Sequence, residues 1–152
     1  MIKGKGSNKR LWLVLGIWFL LAPSPALADP YLAIFRLPSH EPLWEGKIAP
    51  GESFSLVHRN SIYGVLVWEV FQADDQGVIW LKALKTESPA VLEYYGLEAS
   101  TSDWILLTRK LGTIFILPTS AGNFRLSFNQ ETVALSQLAP EGTPLEIRIV
   151  QK

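Results

Sequence analysis

VLVWEVFQADDQGVIWLKAL, residues 65 to 84, consists of two apolar runs joined by a short loop rich in Asp and Gly. The first run, VLVWEVFQ, is nearly continuous in β-branched and aromatic residues, the composition of a central strand. ADDQG interrupts it and VIWLKAL begins at once, so the stretch predicts a β-hairpin. Asp74 and Asp75 suit its turn, because an Asp side chain accepts hydrogen bonds from nearby backbone N–H groups.

The same texture extends in both directions. Upstream, YLAIFRL (Tyr31 to Leu37) is stopped by Pro38, and LWEGKI is closed by the Pro-Gly turn of APGE. SFSLVH alternates Phe54, Leu56 and His58 against Ser53, Ser55 and Val57. Downstream, WILLT, TIFIL, FRLSF, ETVALSQL and LEIRIV are five further runs, with PTSAGN and NQ supplying turns. Phe124, Leu126 and Phe128 alternate with Arg125 and Ser127, and Leu145, Ile147 and Ile149 alternate with Glu146 and Arg148. Such alternation means one face buried and one face wet. Only SPAVLEYYGLEAS breaks the rhythm: Ser88 can cap a single helical turn with Pro89 at its first position, ended by Tyr94, Tyr95 and Gly96. Eight to ten strands at turn-separated intervals predict an all-β, antiparallel sandwich or barrel. No repeat, linker or low-complexity segment divides it, so the expectation is one domain over residues 29–152.

Ahead of that domain, Lys3, Lys5, Lys9 and Arg10 make a positive start, and Leu11 to Ala22 form an uninterrupted apolar run of 12 residues. PSPALA then offers small residues at Ala26 and Ala28. These are the three regions of a secretory signal peptide, with cleavage expected after Ala28; the alternative is an uncleaved anchor, which would still place the domain outside the cytoplasm. The run falls short of the ~20 residues that span a bilayer. The expected destination is the periplasm or cell surface of a bacterium. Removing 28 of the 152 residues leaves 124; four of the 14 basic residues leave and none of the 14 acidic ones, for a charge of −4. No basic stripe remains, which argues against a nucleic-acid partner. There is no Cys, so no disulfide supports the fold and packing alone must hold it.

Candidate chemistry is sparse. The two histidines, His40 and His58, are 18 positions apart and match no metal-ligand spacing, so no metal or other cofactor is expected. Ser61 lies near His58, but no nucleophile-elbow Gly-x-Ser-x-Gly surrounds it, and a polar loop is the simpler reading. Trp44, Tyr63, Tyr94 and Tyr95, with His58, could offer aromatic surface to a ligand or partner; the ordinary alternative is tyrosines edging a core with wet hydroxyls. Glu69 is more informative. On an alternating strand it shares a face with Val65, Val67 and Phe71. If that face is inward, the carboxylate is buried and must be paired or protonated. His58, Arg59 and Asn60, on the preceding segment, are the candidate partners. If Trp68 faces inward instead, Glu69 is solvated.

The stretch from Gly51 to Phe71, GESFSLVHRNSIYGVLVWEVF, resembles the bacterial family called domain of unknown function 1850. Gly51, Phe54 and Leu56 match its Gly-x-x-Phe-x-Leu, Ser61 and Ile62 match the Ser-Val of a His-Ser-Val tripeptide, and Val67 and Glu69 match Val-x-Glu before an aromatic strand. Asn60 stands where the family usually carries His, and Leu66 where it carries Pro. Asn keeps a hydrogen bond but does not titrate near neutral pH. The resemblance implies a small exported β domain whose genes often accompany the membrane subunits of TAXI-type TRAP transporters, which take up organic acids, and it implies no catalytic activity.

Three functions are therefore expected, in this order. The first is a non-enzymatic accessory module associated with a membrane transporter, in which Arg59, Asn60, Ser61 and Glu69 orient a loop. The second is a binder of small organic acids with a mouth lined by Trp44, Tyr63, Tyr94 and Tyr95. The third is a hydrolase using an unconventional carboxylate pair, ranked last because no acid and base can be paired from spacing.

Overall fold

A computed structural model describes residues 28–98 and 103–152. The leader expectation, on residues 1–28, lies outside these apart from its last position.

Ten strands form two antiparallel sheets. In chain order they are β1 (Pro30–Arg36), β2 (Glu41–Lys47), β3 (Ser53–Arg59), β4 (Leu66–Ala73), β5 (Ile79–Thr86), β6 (Ile105–Lys110), β7 (Ile114–Ile116), β8 (Arg125–Phe128), β9 (Glu131–Ala134) and β10 (Leu145–Gln151). Two short helices interrupt them, α1 (Pro89–Tyr94) and α2 (Leu135–Leu138). The smaller sheet runs β2-β1-β10-β7 and the larger runs β6-β5-β4-β3-β8-β9. The sheets face one another as a sandwich and do not close, which removes the barrel alternative. Their inner faces meet in one core that includes Leu32, Ile34 and Ile147 from the smaller sheet and Phe54, Phe71 and Leu126 from the larger.

The hairpin at residues 65–84 is the centre of the larger sheet. Along β4, Val67, Glu69, Phe71 and Ala73 are buried and the residues between them are half-buried or exposed. Trp68 therefore points outward. Asp74 organises the turn: its carboxylate accepts from the N–H of Gln76 at 2.9 Å and of Val78 at 2.8 Å, and from the Trp80 indole at 2.8 Å. These bonds hold its carboxyl below the usual Asp range, the indole bond foremost. Gly77, at φ +74°, closes the turn in a backbone conformation that favours glycine.

The predicted helical turn is present. Ser88 is its N-cap, accepting from the N–H of Val91 at 3.4 Å, and Pro89 opens the helix. Val91 and Leu92 are buried against Val67 and Leu84 in a second, smaller core. ETVALSQL departs from expectation. It is a strand only to Ala134, and then Leu135–Leu138 turn as a helix that buries Leu135. Apolar residues at 133, 135 and 138 satisfy a strand for one step and a helical turn thereafter.

Candidate functional site

Four connections gather at one end of the larger sheet. They run from β3 to β4, from β5 through α1 to β6, from β7 to β8 and from β9 into α2, as the chain order and the antiparallel pairings require. The loop after β7 joins them, since the Arg59 N–H donates to the Gly122 carbonyl at 2.7 Å. That loop is tied down in turn: Glu141 accepts from the backbone N–H of Ser120 at 2.8 Å and from its hydroxyl at 3.0 Å, which hold the Glu141 carboxyl below its usual range.

Glu69 lies inside this end. It is 9 % exposed, opposite Leu56 on β3 and Leu84 on β5, between Val67 and Phe71 on its own strand. It thus sits at the seam between the main core and the smaller one around α1. Its Oε1 accepts from the Tyr95 hydroxyl at 2.8 Å, and its Oε2 lies 3.5 Å from His58 Nε2, within ion-pair reach when the imidazole is protonated. The His58 ring stacks on Phe124, with centroids 4.9 Å apart and 9° between planes. Tyr95 reaches the carboxylate because it stands one helical turn beyond Val91, on the buried side of α1. Burial first, then the Glu69 charge and the bond to it, hold the Tyr95 phenol far above its usual range; the nearby Arg109 guanidinium acts weakly in the opposite sense. Arg109 also donates to the Tyr95 carbonyl at 2.6 Å.

The other predicted residues occupy distinct places. Arg59 is not the partner of Glu69. His58 points inward, so its strand neighbour Arg59 points outward, and its Nη1 donates to the Gly64 carbonyl. Asn60 folds the β3–β4 loop: its Oδ1 accepts from the N–H groups of Ile62 and Tyr63, both at 3.0 Å. Its backbone closes the same loop through Asn60 N to Val65 O and Gly64 N to Asn60 O, each 2.8 Å. Ser61 is exposed, and among the described residues its hydroxyl makes no hydrogen bond to His58. Together with His58, Leu117 and Thr119, it lines an open hollow of about 290 Å3. Tyr94 and Tyr95, grouped in the sequence, separate: Tyr94 is 85 % exposed at the end of α1. Trp44 belongs to the other sheet, where its ring meets Phe128 edge-on at 6.3 Å, and the absence of a side chain at Gly46 leaves room for that contact. It therefore shares no mouth with Tyr63, Tyr94 and Tyr95.

Two features were not anticipated. Tyr95 as the ligand of Glu69 is one; its signal was the i, i+4 step from Val91 behind a capped turn. The other is Glu146, 7 % exposed on the outer face of the smaller sheet. Its neighbours are Phe35 and Phe115 on the flanking strands, with His40 Nδ1 at 3.4 Å and Arg148 Nη1 at 3.7 Å. Its Oε2 is in ion-pair range of His40 yet lacks an aligned hydrogen bond. Direction governs hydrogen-bond strength, so the contact with His40 is a charge proximity and not a formed hydrogen bond. Alternation along LEIRIV had suggested a wet position.

Chemically, the end of the larger sheet holds a buried, hydrogen-bonded carboxylate beside a stacked imidazole, and among the described residues no nucleophile hydrogen-bonds to either. Among the described residues no three His, Cys, Asp or Glu side chains converge as metal ligands do. Around this interior, Ile62 is 80 % exposed and Tyr63 50 % on the β3–β4 loop, Leu117 is 56 % exposed on the loop after β7, and Tyr94 is exposed at the end of α1. Comparison with protein-family models, curated proteins and solved structures returns no match.

Proposed function

We propose that this chain is an exported, non-enzymatic accessory module that docks on a membrane subunit of a TAXI-type TRAP solute transporter through the loop end of its larger sheet. The observation that supports this reading is the set of exposed apolar side chains Ile62, Tyr63 and Leu117, on loops that are themselves tightly hydrogen-bonded, with Tyr94 exposed at the end of α1. Isolated exposed apolar side chains are ordinary, but several on one prepared end are the pattern of a protein-binding surface. The inner polar groups serve that surface. Glu69 anchors α1 through Tyr95, and Asn60 shapes the loop bearing Ile62 and Tyr63. The transporter as partner follows from the resemblance of residues 51–71, and the organic-acid context comes with it.

The test is retention of the full chain on immobilised, detergent-solubilised transporter membrane subunits. Wild type should be retained, and the Ile62→Ser/Tyr94→Ser double variant should bind at least about tenfold more weakly with its melting temperature unchanged. Wild-type retention by the double variant, or no retention of either, contradicts the proposal.

A further inference from the structure

The outer face of the larger sheet carries a second feature, independent of the loop end. Val57 stands opposite Arg125 on one side and Trp68 on the other, and Trp68 stands opposite Lys85. Arg125, Val57, Trp68 and Lys85 thus form one row across four strands. Arg59 is two residues beyond Val57 on β3, diagonal to Arg125, and diagonal neighbours lie about 7–8 Å apart. The two arginines line one open groove of about 470 Å3 whose floor includes Val57 and Trp68.

The charges in this groove are unbalanced. Among the described residues no Asp or Glu lines it, although residues 29–152 carry four more acidic than basic side chains. Lys85, at the end of the row, is answered by Asp103 at 2.6 Å and lies over the Trp68 ring at 5.5 Å. Among the described residues Arg125 has no ion pair, and Arg59 donates only to the Gly64 carbonyl, which steadies its guanidinium and leaves other N–H donors unused. Glu87 lines the adjoining hollow with Arg59, not this groove. The nearby hydroxyls of Ser127 and Thr132 are bonded to each other at 3.0 Å, while the Asn123 side chain also borders the groove. Two like charges at diagonal positions repel unless an anion lies between them, and each planar guanidinium offers paired N–H donors that suit a carboxylate.

We propose that this groove binds a small carboxylate with a flat apolar body, the carboxylate between Arg59 and Arg125 and the body against Trp68 and Val57. The ligand class follows from the combination: the arginines select the charge, and the indole and valine select an apolar remainder over a bare anion. The site lies on the sheet face, so it stands or falls separately from docking at the loop end.

The experiment titrates the full chain with benzoate, its neutral isostere benzamide, and sulfate, read by calorimetry and by tryptophan fluorescence. Benzoate should bind with a Kd of about 1 mM or tighter, with benzamide and sulfate each at least about tenfold weaker. Arg125→Gln should weaken benzoate by about tenfold or more and leave the melting temperature unchanged, and Trp68→Leu should narrow the preference for benzoate over sulfate. Absence of benzoate binding overturns the proposal, as does benzamide binding equally well. Sulfate binding as tightly as benzoate overturns the ligand class. Unchanged benzoate affinity in a folded Arg125→Gln variant overturns the site. The comparison of three ligands uses wild type alone and so does not depend on how any variant folds.

Discussion

A carboxylate at the seam of two apolar clusters persists only if its neighbours meet its hydrogen-bonding needs. Tyr95 meets them most directly, at 2.8 Å, and His58 stands at 3.5 Å. Hydrogen bonds to a charged group contribute more than neutral ones, so Tyr95→Phe should destabilise the fold by about 2 kcal/mol. Glu69→Ala, which also opens space between Leu56 and Leu84, should cost about 3 kcal/mol. A double-mutant cycle of Tyr95→Phe with Glu69→Gln, read by urea unfolding, should give a coupling of about 1 kcal/mol or more; additivity within error would mean that the two side chains do not support one another. The phenol also sets a pH dependence. Its folded pKa is raised above the ordinary value of 10.0, so its contribution is whole below about pH 10 and is lost progressively above it. Tyr95→Phe should flatten that alkaline loss. An identical alkaline limb in wild type and variant would assign it elsewhere.

At the scale of elements, Asp74 does for the hairpin what Glu69 does for the seam. Its folded pKa is lowered, so its contribution is present above the ordinary Asp value of 3.8 and falls away as pH drops through the folded value. Asp74→Ala should lower the melting temperature at pH 7, and the gap to wild type should shrink in acid below about pH 4. A gap independent of pH would mean that the turn does not rely on the ionised carboxylate. Strands such as β3, β4 and β10 were legible because they repeat apolar residues at period two or run continuously through the core, and the cap at Ser88 with Pro89 after it was legible because a short hydroxyl side chain and a ring-fixed φ have few other uses before an apolar pair. What could not be read depended on distant partners. The inward direction of Glu69 follows from its strand, but Tyr95 comes from a helix 26 residues later. Arg59 was a candidate by proximity in sequence, and strand alternation sends it to the opposite face from His58. Glu146 looked wet by alternation because nothing local reveals that Phe35, His40 and Arg148 cover it.

For the whole molecule, strand order separates a sandwich from a barrel, and strand order is a long-range property. β10 joins β1 and β7 in one sheet while β8 and β9 extend the other. This arrangement turns Val57, Trp68 and Arg125 to the outer face of the larger sheet and gathers the loops at one end. We propose that this end, braced from within by Glu69, Tyr95 and Asn60, is where a membrane subunit of a TAXI-type TRAP transporter docks. Amide hydrogen exchange of the full chain, alone and with the reconstituted membrane subunits, tests it most directly. Added protection is expected at residues 60–66, 93–97 and 117–123, with the outer strands β2 and β9 unchanged. Protection confined to β2 or β9, or none anywhere at saturating subunit, would contradict it.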